Sequence, residues 1–241
     1  NNNDLINRVE KSVINALVDQ GDHKGESVSF WLAVTPEGRS MLQAENYRLA
    51  RLIDGSCMNH MIEQGPHQGE SVAYWLAGTP QGRAILEFFN YQLARLINEN
   101  CLNGVMEQDI YKGMSVTFWL AVSPVGQTIL QSDNFGLARV IDKSCLNQLI
   151  EQDPYKGMSV AFWLASTPEG RAMLQADNYR LARLIDENCL NHMIEQDGHK
   201  GMSVAFVLVG SHAGRSILQA DNYRLVRLIN ENSLNHVIEQ G

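Results

Sequence analysis

The sequence predicts an all-α chain: a right-handed α-solenoid of five 44-residue three-helix repeats, preceded by an N-terminal partial repeat. Three observations predict it. The phrase Lys156-Gly157-Met158-Ser159-Val160-Ala161-Phe162-Trp163-Leu164-Ala165 returns with its serine at Ser27, Ser71, Ser115, Ser159 and Ser203. A fixed period in this range marks units that bury their apolar faces by stacking on one another. Leu181, Leu184, Ile185, Cys189 and Met193 recur at helical spacing, and no segment alternates apolar and polar residues for long enough to read as a strand. Units stacked at roughly 8–10 Å would give a body about 50 Å long.

Residues 1–22 form the partial repeat, where Leu5, Asn15, Leu17 and Gln20 fall one period before Leu49, Asn59, Met61 and Gln64. Repeats follow at 23–66, 67–110, 111–154, 155–198 and 199–241. No Pro/Ser-rich or low-complexity tract separates them, so the chain reads as one repeat domain. In the fourth repeat Ser159 is placed to cap a short helix, Val160 to Ala165, by accepting from a backbone N–H. Thr167-Pro168-Glu169-Gly170 starts a second: Thr caps, Pro takes the first position and Glu meets the positive end of the dipole. Asp177-Asn178 read as the cap of a third segment, 179–196. Leu190 and Ile194 lie off its apolar stripe, so it is either covered on two sides or broken near Asp186-Glu187-Asn188. Gly25, Gly69, Gly113, Gly157 and Gly201 form a column that suits a positive-φ turn or a close backbone approach.

Composition narrows the function. The balance of 19 basic against 27 acidic residues, net charge −8, disfavours a nucleic-acid partner, which needs a basic surface to neutralise phosphates. No run approaches the length of a membrane span. Cys57, Cys101, Cys145 and Cys189 occupy one column, with Ser233 in the fifth repeat. Equivalent residues of stacked helices are too far apart for a disulfide, so these read as reduced, buried thiols of a cytoplasmic protein. The chain starts inside a repeat, which leaves a signal or catalytic domain upstream open.

At Gly157-x-Ser159-x-x-x-x-Leu164-Ala165, followed by Gly170 and Leu174, the unit resembles the ankyrin repeat, over about 18 of its 44 residues. It departs from that family in three ways. Ser159-Val160-Ala161-Phe162 replaces the Thr-Pro-Leu-His core, the unit is about 11 residues longer, and a helical segment is expected where ankyrin units have a β-hairpin. Three helices per unit are equally similar to armadillo and HEAT repeats. These families imply a protein-binding scaffold. Near-identical tandem copies are also similar to repeat regions of secreted bacterial effectors, which would place the chain in a host cytoplasm.

Columns that never change should be framework, and columns that vary can face a partner. Trp31, Trp75, Trp119 and Trp163, beside Phe30, Tyr74, Phe118 and Phe162, read foremost as a core between repeats, with an exposed ladder as the alternative. Asn46, Asn90, Asn134, Asn178 and Asn222 read as helix caps. Asn59, Asn103, Asn147, Asn191 and Asn235 read as bridges between repeats. Arg51, Arg95, Arg139, Arg183 and Arg227 are expected to pair with the Glu63, Glu107, Glu151, Glu195 and Glu239 column of a neighbour. The histidines are scattered, and no metal-ligand spacing occurs.

Two columns vary. One reads Arg48, Gln92, Gly136, Arg180 and Arg224; the other reads His60, Gly104, Gln148, His192 and His236. Glu87-Phe88-Phe89 stands where other copies have Gln-Ala-Asp, Gln-Ser-Asp or Gln-Ala-Glu. These phenylalanines read as an anchor for a partner or as packing under a neighbouring loop. The expectation is a monomeric, non-catalytic scaffold that binds a protein or peptide on a concave face, with no cofactor and no metal. Its candidate contacts are Phe88, Phe89, Arg48, Gln92, Arg180, Arg224, His60, Gln148, His192 and His236. The alternatives are a nucleic-acid-binding helical reader and a structural or targeting array.

Overall fold

The computed structural model describes residues 9–107, 111–196 and 198–240, excluding the side chains of 236–240, so Leu5 and the His236 side chain lie outside it. The chain divides into two compact units, Asn1–Met106 and Glu107–Gly241. The first holds α1 (Lys11–Ile14), α2 (Val28–Val34), α3 (Pro36–Tyr47), α4 (Gly55–Asn59), α5 (Val72–Gly78), α6 (Pro80–Tyr91) and α7 (Glu99–Asn103). The second holds α8 (Val116–Ala121), α9 (Pro124–Phe135), α10 (Lys143–Asn147), α11 (Val160–Ser166), α12 (Pro168–Leu184), α13 (Glu187–Asn191), α14 (Val204–Val209), α15 (His212–Leu228) and α16 (Glu231–Gln240). Among the described residues the only β feature is an isolated bridge between Leu17 and Ser27.

Each unit is all-α and built from consecutive helices packed on their neighbours. In the first, α2 stacks on α5 and α3 on α6. In the second, α8, α11 and α14 stack in sequence, as do α9, α12 and α15. The caps form as expected. Ser159 Oγ accepts from the Phe162 N–H and Thr167 Oγ1 from the Gly170 N–H, which satisfies donors a helix start leaves unpaired. The two helices then crowd together: a Cβ on Gly170 would lie 2.3 Å from the Leu164 carbonyl oxygen. Arg39, Arg83, Gln127, Arg171 and Arg215 donate to the last carbonyls of the preceding helix, a column with a structural reason the sequence did not reveal.

The third segment breaks near Asp186-Glu187-Asn188, the second of the two alternatives, and its expected start at Asp177-Asn178 is corrected. No helix runs from 179 to 196. Asp177, Asn178 and Tyr179 adopt left-handed conformations with φ of 48°, 56° and 61°, and each repeat does the same at its equivalent triplet. The first Asn column therefore owes its constancy to tolerance of this conformation rather than to capping. After Leu184, Asp186 Oδ1 accepts from the Cys189 N–H and opens the separate short helix α13. Beyond it, Ile194 N donates to Met202 O and Gly201 N donates back to Ile194 O, closing a hairpin-like turn where a helical segment was expected. Gly201 turns this corner at φ 79°. Leu190 and Ile194, off the supposed stripe, are buried, whereas Leu184 and Met193 are half-buried.

The second Asn column bridges repeats, as expected. Asn147 Nδ2 donates to Lys143 O and, in the next repeat, to Leu184 O at 2.9 Å, while its Oδ1 accepts from the Asp186 N–H at 3.0 Å. Asn15, Asn59 and Asn191 make the same bonds one or more periods away. Asn147→Ala strands two main-chain groups at a seam and is expected to destabilise by about 1–3 kcal/mol, read from the urea midpoint. No change would mean that water replaces the amide.

The aromatic columns divide differently from the expectation. The rings buried in the core are Phe30, Tyr74, Phe118 and Phe162. The tryptophans are partly exposed, Trp31 by 41%. Three of the tryptophans still make a contact that spans repeats: Trp31 meets His67 edge-on at 5.5 Å, Trp119 meets Tyr155 at 5.9 Å and Trp163 meets His199 at 5.6 Å. Three of the supposedly scattered histidines, His23, His67 and His199, thus share a column with Tyr111 and Tyr155. Two carry a second pairing: Glu26 and Glu70, both buried, accept from the indoles of Trp31 and Trp75 and bond His23 and His67.

The cysteines are free and buried. Burial pushes the Cys101 and Cys145 thiols up to about 11 and Cys189 up to about 12. Each lies within 3.3 Å of the capping serine's Oγ, as Cys57 does at 3.1 Å from Ser27. The thiols are therefore framework groups held in their uncharged form.

Candidate functional site

One crevice recurs at three seams between successive repeats, closed at two of them and open at the third. Between the third and fourth repeats it is lined by Phe135, Ala138, Arg139, Met173, Ala176, Asp177, Arg180 and Leu181 and holds about 10 Å³. The equivalent residues one period on enclose the same 10 Å³. Between the first and second repeats, inside the first unit, the equivalent positions carry Tyr47, Ala50, Arg51, Ile85, Phe88, Phe89, Gln92 and Leu93. There the cavity measures about 210 Å³ and extends to Lys11, Ile53, Asp54, Gly55 and Leu96.

Two substitutions account for the opening. In the closed copies the guanidinium of Arg180 donates to Ile141 O at 3.3 and 3.4 Å, and that of Arg224 to Ile185 O at 3.2 Å, so the arginine stem plugs the seam. Gln92, at this position in the second repeat, is exposed and makes no such bond to Ile53. The closed copies also carry a carboxylate across the gap: Arg139 holds Asp177 in a two-pronged contact at 2.7 and 3.0 Å, and Arg183 lies 3.6 Å from Asp221. These aspartates replace the expected Glu partners. Glu63 and Glu151 instead pair with Lys24 and Lys112 of their own repeats.

In the open crevice Phe89 occupies the aspartate's place, and Arg51 Cζ sits 3.5 Å from its ring centroid with no carboxylate. Phe88 lies flat on Tyr47, centroids 3.6 Å apart and planes 14° apart, and meets Phe89 edge-on at 4.4 Å. Phe89 is 44% exposed at a φ of 54°. A left-handed backbone suits the Asp of other copies and strains a bulky residue, by about 1–3 kcal/mol.

Of the sequence-stated candidates, Phe88, Phe89 and Gln92 come together here. Arg180 and Arg224 are seam plugs, and Arg48 is half-buried at the end of α3. His60 and His192 pack their rings under Gly25 and Gly157, where a Cβ would lie 2.8 and 2.9 Å from Nε2, and burial lowers the His192 pKa. Gln148 Nε2 donates to Leu149 O. Sequence reasoning missed Tyr47, Arg51 and Lys11. The signal was present: an acidic residue follows the arginine by 38 positions in the pairs Arg139–Asp177 and Arg183–Asp221, and Phe89 follows Arg51 by the same interval.

A more open groove of about 410 Å³ is lined by Leu149, Ile150, Glu151, Lys156, Gly157, His192 and Glu195, with mixed charge and no cluster of aromatic rings. Among the described residues no group of three or more His, Cys, Asp or Glu could hold a metal ion, and no helix is long and apolar enough to cross a membrane. Comparison with family models, with curated proteins and with solved structures finds no match for this chain.

Proposed function

We propose that the chain is a non-catalytic scaffold that binds a protein partner by taking a short peptide segment into the crevice of the first two repeats. The observation that carries this reading is the departure of this seam from the two closed seams of the second unit: the same framework, yet with the arginine plug of Arg180 and Arg224 replaced by Gln92 and the small and acidic residues of those seams replaced by Phe88 and Phe89. Aromatic rings with an exposed face beside a cavity are the usual anchors of protein recognition. The capped helix pairs and the hairpin-like turns described at 62–70, 150–158 and 194–202 support the ankyrin-like form of scaffold.

The test is peptide selection from a displayed random library on the full chain, followed by titration against Gln92→Arg, which restores the plug that Arg180 and Arg224 supply at the closed seams. Selected peptides are expected to bind the variant at least about tenfold more weakly, with a salt dependence no larger than one or two ion pairs give. Equal affinity for both proteins would sink the reading. A steep loss with salt would indicate a partner recognised through phosphate-like charge.

A further inference from the structure

We infer that the segment taken by this crevice presents a carboxylate beside a large apolar side chain, the carboxylate seating on Arg51 where two seams of the second unit supply their own aspartate. This rests on the peptide-binding reading above and adds the chemistry of the ligand. The argument is an internal comparison. At two seams of the second unit the same arginine holds an aspartate of the next repeat. At the open seam that acid has become Phe89, so the guanidinium keeps its position over a ring but has lost its anion. A planar guanidinium favours bidentate carboxylate contact.

The surroundings favour the same ligand. Lys11 and Arg51 put two cations on the wall of a chain whose net charge is −8. The single acid of the wall, Asp54, already accepts from the Cys57 N–H as a helix cap. Apart from Gln92, the remaining surface is largely apolar: Ile85, Leu93, Leu96 and the Tyr47–Phe88–Phe89 rings. A space of about 210 Å³ suits one large side chain rather than a whole helix. An acid alone would leave the rings in water, and an apolar side chain alone would leave Arg51 without its partner.

The probes are two dye-labelled peptides with identical Gly/Ser flanks, one carrying Asp-Leu-Phe and the other Asn-Leu-Phe, titrated onto the full chain by fluorescence anisotropy. The acid peptide is expected to bind at least about tenfold more tightly than the amide, the scale of a charge-assisted contact. Phe89→Asp, which gives Arg51 an internal carboxylate at a backbone position where other repeats already carry Asp, is expected to abolish binding without lowering the melting temperature. Arg51→Gln is expected to make the two peptides bind alike. Equal binding of acid and amide to the unaltered chain, with loss in Gln92→Arg, would overturn this inference and leave the peptide-binding reading standing. Binding of the acid peptide that is indifferent to both Phe89→Asp and Gln92→Arg would overturn both. Failure of the acid peptide to bind at millimolar concentration overturns the inference, as does phenylacetate competing as well as the peptide, which would make the ligand a small acid.

Discussion

Phe118→Ala is expected to lower stability by about 3–5 kcal/mol, the range for deleting a buried aromatic ring. Its side chain is 1% exposed in α8, and it meets Tyr155 of the next repeat edge-on at 5.3 Å, so the truncation opens a cavity and removes an inter-repeat contact together. The measurement is urea denaturation followed by far-UV circular dichroism. Its comparator is the adjacent Trp119→Ala, where the ring is only half-buried and the loss is expected to stay below about 2 kcal/mol. Equal losses would put the indole in the core, against the burial described.

Gly126→Ala is expected to destabilise by about 3 kcal/mol, the upper end for forced overpacking. A Cβ there would lie 2.2 Å from the Leu120 carbonyl oxygen and 2.6 Å from its Cα. Both obstacles are backbone, so the α8–α9 pair must separate. Gly198→Ala makes the informative contrast, since its Cβ meets nothing within 4 Å and only its φ of 87° opposes the substitution. That change should cost about 1–2 kcal/mol. A thermal melt in which Gly126→Ala loses no more than Gly198→Ala would show that the helix pair can relax.

What could be read from the residues was whatever is decided locally. Ser159 and Thr167 cap because a short hydroxyl preceding an apolar run has few other uses, and Gly201 announces its turn because other residues resist that φ. The seam bridge of Asn147 was legible because constancy across copies, for an amide that need not cap, leaves bridging as its use. Helical spacing from 181 to 193 left a continuous helix and a break near Asp186 both open, because the apolar positions of α12 and α13 fall in phase across a two-residue gap; the structure has the break. Phe162 and Trp163 could not be ranked, since neighbours on a helix are about 100° apart and only the packed structure says which one faces the stack. The partner of Arg139 was misassigned for a similar reason: charge pairing depends on where the left-handed triplet throws Asp177, and no local propensity announces three such residues in a row. Phe88 and Phe89 stood out as anomalies from the start, yet what they replaced became visible only when Arg51 was seen across from them.

The asparagine bridge bears on how such a chain changes length. Every described seam is fastened by the same amide gripping the same two main-chain atoms one period ahead. A crossover between misaligned gene copies that drops or adds one 44-residue period therefore rejoins two ends already cut to fit. Shortening or lengthening the array by whole periods leaves the joinery untouched, so the chain can be edited at the level of the gene without inventing a new junction.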